Sequence, residues 1–425
     1  MIQRIKGALA RCGISLWRIN ETAEETAELF FVKKELDTRR IKDVRKYAVT
    51  VFRDVADPGG EVRRGSTSAH LLASMEDGQL EEELKSAYYA AQFAANPTYE
   101  LPDPVKAPLV EKTGELAQAP LAESAGRMVK ALFSPDVHED AFLNSAEVFV
   151  HRSRLRILSS EGTDVSYTDA CVKGEFVVQC RQPEDVEIHN TFFYDELSEQ
   201  ALSDKVAEAL AFVRDRARAR RILKSGKYDL VLSGNPVAEV LSYYQSRSSA
   251  AAVYAKYSTW QRGEDVQGAD TAGERLSITL RAVDPYSEEG IPMTDLPLLE
   301  GGKLQAYHGP NRFCRYLGVK PTGFYGKLAC SNGTASFAEM KKKPCLWAVT
   351  FSDFQMDPMS GHFGGEIRLA YLIDGDSAVP VTGGSVNGSI LEAQKALVFS
   401  TERYVTASYD GPYAVRIPDV SIAGE

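Results

Sequence analysis

Apolar residues recur every three to four positions at Leu80, Leu84, Ala87, Tyr88 and Ala91, and Asn96 with Pro97 follows. That spacing predicts a helix over Leu80 to Ala95 with one buried face, stopped by the proline. Upstream, Arg45 to Phe52 alternates instead, with Tyr47, Val49 and Val51 on one side, and Pro58, Gly59 and Gly60 come next. A period of two followed by a proline-glycine turn predicts an antiparallel hairpin. A short helix over Ile2 to Arg11 and a strand over Leu29 to Leu36 complete this block.

Pro97, Pro102, Pro104, Pro108 and Pro120 mark an extended surface connection. Beyond it the pattern returns. A helix carries Leu121, Ala125, Met128, Val129 and Leu132, and strands follow near Glu147 to Leu158, Gly174 to Cys180 and Glu187 to Tyr194. A long helix from about Leu202 to Leu223 turns Leu202, Val206, Leu210, Val213 and Ala217 inward. The repeated order hints at internal duplication of segments 1–99 and 120–225. From residue 226 onward strands and glycines dominate, with one helical candidate at Pro236 to Ser246. The expected fold is α+β with two domains. A mixed α/β N-terminal domain covers 1–225, and a β-rich, mostly antiparallel C-terminal domain covers 226–425.

Composition narrows the function classes. The chain has 425 residues, enough for two or three cores, and its net charge of -10 repels polyphosphate and anionic lipid. No nucleic-acid or membrane partner is expected. Arg4, Lys6 and Arg11 interrupt any apolar leader, and no apolar run reaches membrane-spanning length, so a cytoplasmic location is expected. Cys12, Cys171, Cys180, Cys314, Cys330 and Cys345 form no CxxC pair and read as reduced thiols, which makes the sequons at Asn332 and Asn387 chance matches. The basic run from Arg214 to Lys227 has no interleaved aromatics and reads as the solvated end of a helix.

Glycine placement in Phe351 to Ile390 carries the most specific signal. Asp357, Ser360, Gly361 and Phe363 fill a D-x-x-T/S-G-x-F turn, and Pro380, Val381, Gly383 and Gly388 fill a later P-V-x-G segment. In these motifs the chain resembles the TldD/PmbA family, also labelled modulators of DNA gyrase. The resemblance covers nearly the whole chain and is strongest after Tyr228. It implies either a zinc peptidase or a zinc-free partner subunit, because the family contains both.

The catalytic members carry HExxxH on the helix after the strand matching Tyr228 to Leu232, with a cysteine near the chain end completing the zinc site. Here that helix reads NPVAEVLSYYQSRSS, without histidine, and the matching stretch Thr401 to Pro412 has no cysteine. His70, His138, His151, His189, His308 and His362 show no metal-binding spacing, and His362 beside Asp357 reads first as a turn histidine. No G-x-S-x-G, P-loop or dinucleotide motif is present. No catalytic residue, metal ligand or cofactor is therefore expected in this chain, which is expected to be inactive alone.

The resemblance implies a zinc-free, PmbA-like (TldE-like) subunit paired with a TldD-like HExxxH chain that supplies zinc, both enclosing an unfolded peptide. A homodimeric peptide-binding or scaffold protein is the alternative. A peptide held as an added strand would suit the glycine-rich strands, so Gly361, Phe363, Gly364, Gly383, Gly384, Asn387 and Gly388 are the candidate peptide contacts. Glu239, Tyr243, Tyr244 and Gln245 mark the degenerate active-site helix. The family's R-S after that helix appears here only as Gln261, Arg262 and Gly263, which leaves a divergent paralogue open.

Overall fold

The computed structural model describes residues 1–424. Its first half is one seven-stranded sheet with helices on one face. Helix α1 (Ile2–Arg11) precedes β1 (Leu16–Val32), β2 (Glu35–Ala56) and β3 (Val62–Leu72), and α2 (Asp77–Ala91) leads to the two-residue β4 (Asn96–Pro97). The same order recurs as α3 (Leu121–Phe133), β5 (Ala141–Ser159), β6 (Asp164–Cys180), β7 (Val186–Tyr194) and α4 (Glu199–Ala217). The two blocks join edge to edge in the order β4-β3-β2-β1-β5-β6-β7.

Strand β1 shows where the helices lie. Ile19 packs with α1 and α2, while Ala27 and Phe31 pack with α3 and α4. These positions differ by even numbers, so both helix pairs cover the same face. The opposite face carries Glu24, Phe149, His151, Lys173 and Glu175 and is free of helices.

Three predicted boundaries move. The strand expected over Leu29 to Leu36 is interrupted by a turn at Lys33 and Lys34, where Lys33 takes a positive φ of 53°. The long helix ends at Ala217 rather than Leu223. Arg220 is drawn off by backbone bonds to Pro380 and Thr382, which tie the linker to a C-terminal strand. The helix predicted over Leu80 to Ala95 starts at Asp77 and ends at Ala91.

The second half is built around a closed ring of strands. Strand β8 (Gly226–Ser233) leads into helix α5 (Asn235–Arg247), and later come β9 (Cys345–Phe351), β10 (His362–Asp374), β11 (Ser377–Val381), β12 (Ser385–Ser389) and β13 (Ala414–Ala423). Pairing runs β9-β8-β13-β12-β10 and returns from β10 to β9. A second sheet of six short strands runs from Lys303–Leu304 at one edge to Tyr409–Pro412 and finally Arg403–Val405 at the other. The largest apolar core lies between this sheet, the ring and α5.

The halves meet through paired groups. Tyr167 lies tilted against Tyr286, Asn20 Nδ2 donates to the Glu288 carbonyl at 2.8 Å, and Tyr371 donates to Asp215 Oδ2 at 2.6 Å. At this junction burial, and then the nearby Asp169 charge, raise the Asp284 carboxyl to about 6. A carboxyl raised in the folded state stabilises fully below its unfolded pKa, and that contribution disappears as pH climbs through about 6. Asp284→Asn is therefore expected to raise stability at pH 8 by about 1–2 kcal/mol, after allowance for solvent screening, and to change it little at pH 4. Urea titrations at the two pH values check this, and an equal effect at both would refute it.

Candidate functional site

A cleft of about 1310 Å³ opens between the halves. Its walls come from β6, β7 and α4 on one side, and from the start of α5 and residues Arg403 to Tyr413 on the other. The chain entering α5 needs an abrupt reversal, supplied by Gly234 at φ 69°, and Pro236 in the first turn presets the helical φ. The helix then turns Ala238, Glu239, Ser242 and Gln245 to the cleft and Val237, Val240, Leu241, Tyr243 and Tyr244 to the core.

Sequence reading grouped Tyr243 and Tyr244 with Glu239 and Gln245. The structure separates them. Tyr244 is fully buried, stacks on Trp260 and donates to Gln394 Oε1 at 3.0 Å, while Tyr243 packs edge-on against the same indole. Both phenols are pushed up by burial and stay neutral. Glu239 Oε1 accepts from the Met356 N–H at 3.2 Å, so the carboxylate anchors a strand beside the cleft. Gln245 Nε2 donates to the Tyr325 carbonyl at 2.9 Å, and the Gln245 carbonyl accepts from His308 Nε2 at 2.8 Å.

The cysteine-free stretch from Thr401 to Pro412 does reach the same cleft. Tyr404 donates to Asn235 Oδ1 at 2.8 Å across it, and Lys205 Nζ donates to the Tyr404 hydroxyl at 3.3 Å. Tyr413 donates to Glu208 Oε1 at 3.1 Å. These contacts escaped sequence reading because their partners lie more than a hundred residues away. The one available signal was that the helix and the late stretch were both singled out as places for metal ligands.

The seven glycine-region candidates lie elsewhere. None lines the cleft. Gly364 pairs with Asn387 on one side and Gln355 on the other, so its backbone is already inside the sheet. A Cβ on Gly388 would sit 2.2 Å from the Phe363 ring, and Phe363 is buried. Gly361, Gly383 and Gly384 serve turns of positive φ, and Asn387 projects from the paired strand β12. Apart from the exposed Asn387, these residues are small or buried because the chain's own strands and rings approach closely.

The open backbone is at β7. This is the last strand of its sheet, and its free side faces the cleft. The Phe193 carbonyl on that side accepts from the Ala407 N–H at 3.0 Å, and the Glu187 carbonyl from Arg216. Strand alternation places the N–H and C=O of His189 and Thr191 on the same side, where the described residues provide no backbone partner. Arg403–Val405, the last strand of the six-stranded sheet, also lines the cleft.

A zinc site of imidazole and thiolate donors does not fit these walls. The cleft face of α5 offers a methyl group, a carboxylate tied to a strand, a hydroxyl and an amide, and the facing stretch offers Arg403, Tyr404 and Tyr409. Among the described residues no three His, Cys, Asp or Glu side chains gather in a metal-holding group. Thiol chemistry fits no better. Burial raises Cys171 and Cys314 to about 11 and Cys330 to about 12, far from the thiolate a nucleophile requires. Among the described residues no histidine ring hydrogen-bonds a serine or cysteine: His151 meets Glu24, His189 meets Glu175 and His308 meets a backbone carbonyl.

Residues 225–424 match the family model described as the PmbA/TldA metallopeptidase C-terminal domain. The C-terminal part of the chain is thus a C-terminal domain of the TldD/PmbA type. Solved structures of the same fold include TldE from Thermococcus kodakarensis, at TM-score 0.79 and 16% identity, covering 99% of this chain and 100% of that one. A proposed modulator of a DNA gyrase from Thermotoga maritima aligns at TM-score 0.76 and 17% identity over 100% of both chains. One from Bacteroides thetaiotaomicron aligns at 0.77 and 16%, covering 100% of this chain and 99% of that one. No curated protein matches the chain in sequence. Among the described residues no helix is long and apolar enough to cross a membrane.

Proposed function

We propose that this chain is a zinc-free, TldE-like subunit whose cleft holds an unfolded peptide while an HExxxH-bearing partner supplies the metal and cuts it. The observation that carries this reading is the convergence of α5 and Arg403 to Tyr413 on one large cleft that lacks a ligand set but exposes two strand edges. An edge strand binds an extended chain through backbone groups, so it accepts many sequences. Neutral tyrosines and amides around it suit hydrogen bonding, and the mixed charges of Lys173, Glu175, Asp204 and Lys205 favour no single peptide charge.

Co-expression with an HExxxH homologue tests the partnership, and failure of the two chains to co-purify would argue for the homodimeric peptide-binding alternative. Within the complex, Thr191→Pro removes an outward N–H of β7 without touching the β6 pairing. Peptide affinity is expected to fall about tenfold, the worth of one backbone hydrogen bond and its geometry, with zinc content unchanged. Unaltered affinity, measured by fluorescence anisotropy of a labelled unfolded peptide, would place the peptide elsewhere.

A further inference from the structure

A second free edge lies at the far end of the same sheet. Strand β2 pairs with β3 only from Lys46 to Ala56, so Glu35–Arg45 has β1 on one side and no strand on the other. Every residue from Val32 to Lys46 is exposed, Leu36, Ile41 and Val44 among them. None of the backbone groups of Glu35–Arg45 has a turn, loop or interstrand partner on the open side among the described residues.

Charge along this edge has a definite symmetry. One face reads Asp37, Arg39, Ile41, Asp43, Arg45, in which each charge is matched by its opposite at equal distance from Ile41. Natural sheet edges are commonly guarded by charge, above all by lysine, and two such edges then repel each other. This pattern does the reverse. A two-fold axis normal to the sheet through Ile41 sets Arg39 against Asp43 of a second copy and Asp37 against Arg45, each twice, around a central Ile41 pair. Sliding the register by two residues either way sets Asp37 against Asp43 or Arg39 against Arg45. On the other face Arg40 would oppose Lys42, and Glu28 of the same chain contacts both, at 3.0 Å and 2.5 Å, which offsets one of the two positive charges. Arg39 and Asp43 have no hydrogen bond or ion pair among the described residues.

We propose that the Glu35–Arg45 edge pairs antiparallel with the same edge of a second copy of this chain, in the register centred on Ile41. The contact continues the seven-stranded sheet across the axis and leaves the peptide cleft, at the opposite edge, open. It is independent of the function proposed for that cleft.

The test uses the full chain by itself, followed by sedimentation velocity. Arg39→Asp or Asp43→Arg turns attractive cross-strand pairs repulsive and is expected to weaken self-association by about tenfold or more, whereas the double reversal restores it to within about threefold. Opposed residues in an antiparallel pair lie about 4.5–5.5 Å apart at Cα, within disulfide reach, so Ile41→Cys is expected to cross-link to itself under mild oxidation. Val44→Cys, paired with Thr38 in this register, is not. Self-association indifferent to the reversals, a chain that stays monomeric, or equal cross-linking at 41 and 44 would each overturn the proposal. All four positions are exposed, so loss of folding cannot imitate the result.

Discussion

Purified alone, the chain is expected to hold far less than one zinc per molecule and to leave an unfolded peptide uncut. Co-expressed with an HExxxH homologue, it is expected to yield a complex with about one zinc per pair and a peptidase activity removed by chelators. The contrast should be large, at least about four orders of magnitude, because water unassisted by a metal has a pKa near 16 and metal-bound water one near 7. Nothing in the cleft substitutes for that assistance. Glu239 is engaged by the Met356 N–H, and burial holds Tyr194, Tyr409 and Tyr413 far above the range in which a phenol gives up its proton. Elemental analysis with a fluorogenic peptide assay decides the matter. One zinc per isolated chain, with chelator-sensitive cleavage, would sink the reading of a zinc-free subunit.

Replacing Tyr244 by alanine is expected to destabilise the protein by about 3–5 kcal/mol, the range for emptying a large buried aromatic site. The ring is fully buried against Trp260, and its loss also strands Gln394 Oε1 without its donor. Tyr244→Phe isolates the second effect and should cost about 1–3 kcal/mol. Ser242→Ala, on the cleft side of the same helix, should cost no more than about 0.5 kcal/mol. Guanidinium titrations of the three variants give the comparison. If Tyr244→Ala proved as mild as Ser242→Ala, the orientation of α5 would be wrong. The helix is thus held by aromatic packing on one face, and on its cleft face by the bonds of Glu239 and Gln245.

Local periodicity made the elements legible. Alternation at Tyr47, Val49 and Val51 and the 3.6 period of α2 and α4 each report a buried face that neighbouring residues alone define. Boundaries failed where distant contacts intervened, as when strand β11 captured Arg220 and ended α4 early. At the site, the two stretches singled out in the sequence converge on one cleft, and the glycine-region residues lie away from it. Gly364 and Gly388 look open in a sequence because a missing side chain gives no hint of what fills the space. Only the fold shows that Phe363 and the flanking strands occupy it. The edge at β7 was invisible for a related reason, since nothing within Val186–Tyr194 says that no eighth strand follows.

The closed ring of the second half also bears on how the chain is assembled. Strand β8 is flanked by β9 and β13, whose residues follow it in sequence by more than a hundred positions and by nearly two hundred. During synthesis β8 and α5 emerge long before either neighbour exists, whereas the seven-stranded sheet is already complete when Tyr194 appears. Contacts of such long sequence separation form late and slowly. The apolar face of β8 must therefore wait unpaired beside a finished domain, and the interval before β13 arrives is when the nascent chain is most open to misassociation.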